Sequence, residues 1–206
     1  MPLPFAETLA TELRDYPEWH RGRLRYAVWV VPVHCPRLQA HVARMRAALA
    51  DLLHPTRRQA HVTLFVCGFE QPLARHDDDF TPAQLAAQWQ ALRACAPATG
   101  RLRIGAVDSF ASAAFLRVED PDGLLGPLRA ALGSAAREVR QAPYVPHLTL
   151  GLYRRTVTAP HLAERLARLP EAGPALPLEE LRYVSYAAGD QFGRLRTRRR
   201  FRLRRE

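Results

Sequence analysis

The chain has no lysine; all 30 of its basic side chains are arginine. A Walker-type phosphate loop ends in a lysine that reaches the phosphates, so that class of nucleotide site is excluded. There is also no G-x-G-x-x-G, G-x-S-x-G or H-E-x-x-H segment. That sets aside a dinucleotide fingerprint, a serine-hydrolase elbow and a zinc-protease helix. Cysteine is scarce. Cys35, Cys67 and Cys95 lie far apart and never as C-x-x-C, which argues against a disulfide framework and a cysteine-rich zinc site. No apolar run approaches the roughly 18 residues of a membrane span. The opening MPLPFAETLATELRDY carries acids and lacks a continuous apolar stretch, so it does not read as a secretory signal. The expectation is a protein of the reducing cytoplasm, off the membrane.

What is present is an arginine-rich, well-mixed chain. Thirty basic residues face 20 acidic ones, for a net charge of +10, and 48% of residues are hydrophobic. Disorder requires low hydrophobicity with high charge and does not fit. Proteome composition accounts for arginine replacing lysine throughout, yet the physical consequence stands. The guanidinium is a planar fork that matches phosphate oxygens, and a +10 chain attracts polyanions such as nucleic acid.

Residues 1–24 read as a helical or irregular N-terminal extension, and 25–206 as a single bilobal domain. Tyr26–Val33 is a β-branched run that predicts a buried strand. Leu38–Leu53 has helical spacing. Ala60–Cys67 predicts a second strand, and Thr81-Pro82-Ala83-Gln84 a capping box opening a helix to Cys95. Arg101–Phe110 predicts a strand. The pattern then recurs: strand at Ser112–Glu119, helix at Asp122–Val139, strand at Tyr144–Tyr153, helix at Thr158–Leu169, and strands at Leu178–Ala187 and Arg194–Leu203. His61 and His147 lie 86 residues apart. The same shift superposes the first strand and helix on their later counterparts. This predicts an internal duplication of βαβαβ units, about 26–110 and 112–203, and two pseudo-symmetric lobes around a cleft. The fold class is α+β.

The matching positions are His61-Val62-Thr63-Leu64 and His147-Leu148-Thr149-Leu150. In a strand, residues i and i+2 share a face, so each histidine stands beside its threonine and the aliphatic pair points to the core. Imidazole moves protons near neutral pH, and a threonine hydroxyl can hold a phosphoryl oxygen. Two such pairs facing each other would bracket one phosphate. One histidine would take a proton from the nucleophile and the other would protonate the leaving oxygen. This scheme needs no cofactor and no metal.

The doubled motif resembles the two-histidine phosphoesterase superfamily, in particular the LigT-like group of 2′-5′ RNA ligases and RNA 2′,3′-cyclic phosphodiesterases. HVTL at 61–64 and HLTL at 147–150 carry the likeness. The strand ending near Pro32, the IGAVDSF segment and YVPHLTLGLYR support it, over about Tyr26 to Leu203. The resemblance implies a duplicated βαβαβ fold around an open cleft. It implies His61 and His147 as the acid–base pair, and Thr63 and Thr149 as holders of the non-bridging oxygens. The implied reaction opens a 2′,3′-cyclic phosphate to a 2′-phosphomonoester, with His147 as base and His61 as acid. The roles exchange in a ligating direction, and the reverse assignment stays open.

Further candidates follow from strand alternation. Tyr153 and Arg155 share the face of His147 if that strand continues, with Arg155 as a phosphate clamp; if it stops near Gly151 both are surface residues. Phe65 shares the face of His61 and either stacks on a base or fills the core. Arg194, Arg196, Arg198, Arg200 and Arg202 alternate along the last strand. Arg196 and Arg198 are the expected RNA contacts, unless that face is a solvated edge. His76-Asp77-Asp78-Asp79 reads as a loop rather than a cation site. The expected partners are RNA ends or small nucleotides bearing a cyclic phosphate; the alternative substrates are 2′-5′-linked oligoadenylates or a cyclic phosphate of ADP-ribose. A non-catalytic RNA-binding protein is the remaining alternative. No obligate protein partner is evident, and a monomer is expected.

Overall fold

In the computed structural model, residues 3–140 and 142–204 are described. The apolar run at the start of the first repeat forms β1 (Arg25–Pro32), buried on both faces from Tyr26 to Val31. Ala27, Trp29 and Val31 join the main core, while Tyr26, Val28 and Val30 join a second cluster on the other side. The remaining elements are α1 (Pro17–His20), α2 (Pro36–Ala48), β2 (His61–Glu70), β3 (Asp79–Phe80), α3 (Pro82–Cys95), β4 (Gly100–Phe110), β5 (Ala113–Glu119), α4 (Leu125–Ala135), β6 (His147–Leu152), α5 (Ala159–Ala167), β7 (Gly173–Leu178), β8 (Glu180–Ala187) and β9 (Arg196–Arg202).

These strands form one sheet in the order β7-β4-β5-β6-β2-β1-β8-β9, with β3 paired in parallel to β2. All other pairings are antiparallel. The sheet has two halves, β7-β4-β5-β6 and β2-β1-β8-β9, and each contains strands from both repeats. The reason lies in the connections. Only Ala111 and Ser112 separate β4 from β5, and so short a link forces a hairpin. The last strand of the first repeat therefore pairs with the first strand of the second, and β8 pairs with β1 in return. Only Glu179 separates β7, at one edge, from β8 in the opposite half. The sheet must curl for one residue to span that gap. Its two ends do meet, where the Leu203 amide donates to the Glu179 carbonyl and the Thr99 amide to the Arg204 carbonyl.

The capping box at Thr81 is present: the Gln84 amide donates to Thr81 Oγ1 at 3.3 Å, and the Thr81 amide to Gln84 Oε1 at 2.8 Å. Helix α2 stops at Ala48, short of the expected Leu53. The residues after it are recruited to the end of β6, where the His54 amide donates to the Leu152 carbonyl and the Arg154 amide to the Leu52 carbonyl. The acidic segment 76–79, expected as a solvated loop, is in part built into the structure. Arg23 pairs with Asp78 and Asp79, and Asp79 Oδ2 accepts from the amides of Arg75 and His76.

One buried group makes the fold sensitive to acid. His41, on α2, is 3% exposed, and its Nε2 finds no hydrogen-bond partner among the described residues. Burial, and then the neighbouring Arg44, push its pKa below the ordinary 6.5. The unfolded chain takes up a proton as pH falls through about 6.5, whereas folded His41 resists until lower pH, so stability is lost on acidification below that value. His61 and His147 shift the same way. His41→Met is expected to flatten part of the fall in stability between pH 7 and pH 5, measured by urea unfolding. An unchanged acid slope would contradict this account.

Candidate active site

Strands β2 and β6 lie side by side at the junction of the two halves, and a single residue pair joins them, Val62 with Leu148. Val62, Leu64 and Leu148 are fully buried, and Leu150 almost so. Stepping one residue either way along this antiparallel pair sets His61 beside Thr149, and Thr63 beside His147. All four are partly exposed on the face away from the core. The sheet junction thus assembles both His-x-Thr pairs into one quartet.

Each histidine is held in the same way. His61 Nδ1 lies 2.8 Å from the Gln59 carbonyl, and His147 Nδ1 lies 2.7 Å from the Val145 carbonyl. A carbonyl only accepts, so Nδ1 carries the proton and Nε2 is left as the basic atom of each neutral ring. Burial pushes the His61 pKa down to about 4; the Gln59 carbonyl opposes this, and the positive fields of Arg58, His147 and Arg46 add to it. Burial also lowers the His147 pKa, opposed by the Val145 carbonyl, with Arg140 lowering it further. The His147 ring packs edge-on against Phe110 and Phe115, at centroid distances of 5.0 and 5.4 Å. Tyr144 Oη donates to the Thr63 carbonyl at 3.0 Å, tying the approach to His147 to the other motif.

A β-bulge follows each threonine. In β2, Thr63 faces Val30 and Phe65 faces Trp29, so Leu64 is the extra residue. In β6, Thr149 faces Phe115 and Gly151 faces Ala114, so Leu150 is the extra residue. An extra residue reverses the alternation beyond it, which corrects two expectations. Phe65 turns into the core and is 2% exposed. Tyr153 is fully buried, with its hydroxyl 2.6 Å from Ser109 Oγ. Neither reaches the quartet. Arg155 lies beyond the end of β6 and pairs with Asp51 at 3.0 Å. A third bulge, at Arg198, separates the pairs Val184–Thr197 and Tyr183–Arg199. Arg198 donates to Ser185 Oγ at 3.0 Å. Leu195 and Thr197, not Arg196 or Arg198, line the cavity beside His61.

That cavity has a volume of about 530 Å³ and runs from His61 along Gln59, Arg46 and Arg182, with apolar walls including Val30 and Val42. Arg46 and Tyr144 are neighbours of the quartet that the sequence reading missed. Tyr144 stands three residues before its histidine, where the other motif has Arg58, so no repeat singled it out. For Arg46 the signal was an arginine bordering the buried stripe of α2, beside Val42 and Met45. Among the described residues, no group of three His, Cys, Asp or Glu side chains is placed to hold a metal ion.

A family model described as the 2′-5′ RNA ligase superfamily matches residues 35–190. The chain belongs to the 2′-5′ RNA ligase superfamily. A search of curated proteins found no match. Among solved structures, LigT of E. coli in apo form shares 16% identity with a TM-score of 0.62, covering 88% of this chain and 99% of that one. LigT of E. coli complexed with 3′-AMP gives the same identity and coverage, with a TM-score of 0.63. TT0787 of Thermus thermophilus is 19% identical with a TM-score of 0.55, over 88% of this chain and 99% of its own. At these identities the structural likeness shows the LigT-like α+β fold. Superfamily membership supports phosphoester chemistry as the coarse function, and no helix among the described residues is long and apolar enough to cross a membrane.

The face assignments can be checked by mutation. Tyr153→Phe is expected to cost about 0.5–1.5 kcal/mol of stability, the worth of one hydrogen bond, and Phe65→Ala about 3–5 kcal/mol, the worth of a core aromatic. Both should leave KM for a cyclic nucleotide unchanged once folded protein is counted. A raised KM with unaltered stability would return either residue to the site.

Proposed function

We propose that this protein opens the 2′,3′-cyclic phosphate at an RNA end to a 2′-phosphomonoester by histidine acid–base catalysis. The observation that carries the reading is the quartet, in which two imidazoles with free Nε2 atoms and two threonine hydroxyls share one face at the β2–β6 junction. Thr63 and Thr149 hydroxyls donate to the non-bridging oxygens. One imidazole takes a proton from water, and the hydroxide attacks phosphorus. The P–O3′ bond breaks, and O3′ receives the proton of the other imidazole, leaving a 3′-hydroxyl and a 2′-phosphate. With the 5′-hydroxyl of an RNA attacking in place of water, the same step would join a 2′-5′ linkage, and the two histidines would exchange roles in the reverse cleavage of that linkage.

The electrostatics favour a division of labour opposite to the one the family resemblance implies. His61, which burial holds neutral with a pKa pushed down to about 4, would act as base, and His147 would carry the proton as acid. Support for a nucleotide substrate comes from the fold relative LigT of E. coli, which has been complexed with 3′-AMP. The bounded cavity beside His61 also suits a mononucleotide, since ligand pockets of about 300–1,000 Å³ are typical. That keeps small cyclic or 2′-5′-linked nucleotides as the second reading. Long RNA should bind with a steep salt dependence and a small nucleotide with a shallow one. The three free cysteines fit a reducing cytoplasm, and a monomer completes the proposal.

Hydrolysis of 2′,3′-cyclic nucleotides in EDTA is the decisive assay. His61→Ala or His147→Ala should each lose about 10²–10⁴-fold in turnover, the usual worth of a general acid or base, with the melting curve retained. Binding without turnover in the wild type would instead indicate a non-catalytic RNA-binding protein. The profile of kcat/KM against pH reports the free enzyme. It should be a bell with its maximum below pH 6.5, falling on the acid side near pH 4 as His61 gains a proton and on the basic side as His147 loses one. A maximum well above pH 7 would contradict these assignments.

A further inference from the structure

The bulge in each motif strand releases a leucine carbonyl from regular pairing, and an arginine from a helix meets it. Arg129 of α4 donates to the Leu64 carbonyl, while Arg46 of α2 donates through Nε to the Leu150 carbonyl at 2.9 Å and through Nη2 to the Thr149 carbonyl at 3.5 Å. The structural task is the same in both halves of the sheet. The electrostatic surroundings are not. Arg129 is neutralised by Glu138 at 2.6 Å and covered by the Tyr144 ring at 3.8 Å. Arg46 has no carboxylate partner among the described residues, although burial lowers its pKa. It opens instead onto the cavity that His61 shares, and its field reaches that ring.

Holding a carbonyl does not require an uncompensated charge, as Arg129 demonstrates. A half-buried, unpaired guanidinium is costly to maintain. That cost is recovered if an anion enters the cavity and completes the pair. We propose that Arg46 is an anion clamp of the active site, contacting the phosphoryl group of the substrate from the His61–Thr149 side of the quartet. The inference deepens the reading of the site as a phosphoesterase and rests on it for the identity of the anion. Its backbone contacts already fix one edge of the guanidinium, so little side-chain entropy remains to be lost when the anion arrives. The clamp also makes the symmetric scaffold directional, because Arg129, the counterpart of Arg46, is paired with Glu138.

The test uses inorganic phosphate as probe, measured both by direct titration and as an inhibitor of 2′,3′-cyclic nucleotide hydrolysis. Arg46→Gln retains an amide that can still meet the Leu150 carbonyl but removes the charge. It should fold, weaken phosphate binding at least tenfold and raise KM by a similar factor, with Arg46→Lys recovering much of the loss. Loss of Arg46 should also move the acid limb of kcat/KM to higher pH, because its positive field no longer opposes protonation of His61; a purely structural anchor would leave that limb in place. Folded Arg46→Gln that binds phosphate as the wild type does would overturn the clamp. If neutral variants do not fold, Arg46→Lys decides: phosphate affinity within a few fold of wild type supports a charge contact, and its loss overturns it. A wild type that binds phosphate through Arg46 yet hydrolyses no cyclic nucleotide would sink the catalytic reading while leaving the clamp intact.

Discussion

The packing of Val62 against Leu148 is the contact on which the site depends. It is the one register pair between β2 and β6, where the two halves of the sheet meet at their centre, and it lies between the histidine and threonine of both motifs. Both side chains are wholly excluded from water, so the pair is driven by apolar burial while the four polar neighbours are turned to the other face by strand alternation. A slip of one residue in either strand would send the histidines inward and the aliphatic residues out. The single pair also leaves the strands free to part on either side, and a cavity has room to open beside His61. Holding the four polar groups on a hydrophobic contact rather than on a loop gives them the rigidity that the proposed proton transfers require.

The bulges behind the threonines add a second constraint. They reverse the alternation within one residue of the motif, so that the quartet faces the cleft while Phe65 and Tyr153 pack inward. They also free the leucine carbonyls that Arg46 and Arg129 bind, which lashes helices α2 and α4 to the motif strands of the opposite repeat. Exchange of strands and helices between the repeats means that neither half can form its sheet alone. The two motifs are therefore brought together by the same interactions that build the core.

This explains what could be read from the chain and what could not. The doubled His-x-Thr, the capping box at Thr81 and most strands follow from local pattern, and local pattern carried them. The strand β7 was missed because GPALPL contains a glycine and two prolines, residues normally kept to sheet edges, and it is indeed an edge strand pairing only with β4. Period-two alternation assumes unbroken pairing, so it misplaced Phe65, Tyr153 and Arg198, each beyond or within a bulge. Arg46 could not be assigned either, since its role depends on a carbonyl 104 residues away in sequence.

A duplicated fold begins with equivalent halves, whereas hydrolysis of a cyclic phosphate needs an acid on one side and a base on the other. Geometry alone cannot supply that difference here, because both imidazoles are fixed by a carbonyl two residues upstream and both stand across from a threonine. The difference arises from what surrounds them. His61 sits in the fields of Arg58 and Arg46, whereas His147 is enclosed by Phe110 and Phe115 and feels Arg140. Burial is the leading cause of the lowered proton affinity at both rings, and the positive neighbours add to it, so the affinity of each ring is set by its surroundings although the local frames match. A bound phosphate adds negative charge between them and raises both affinities. On the proposed mechanism the proton would then settle on His147 and leave His61 as the base in the same complex.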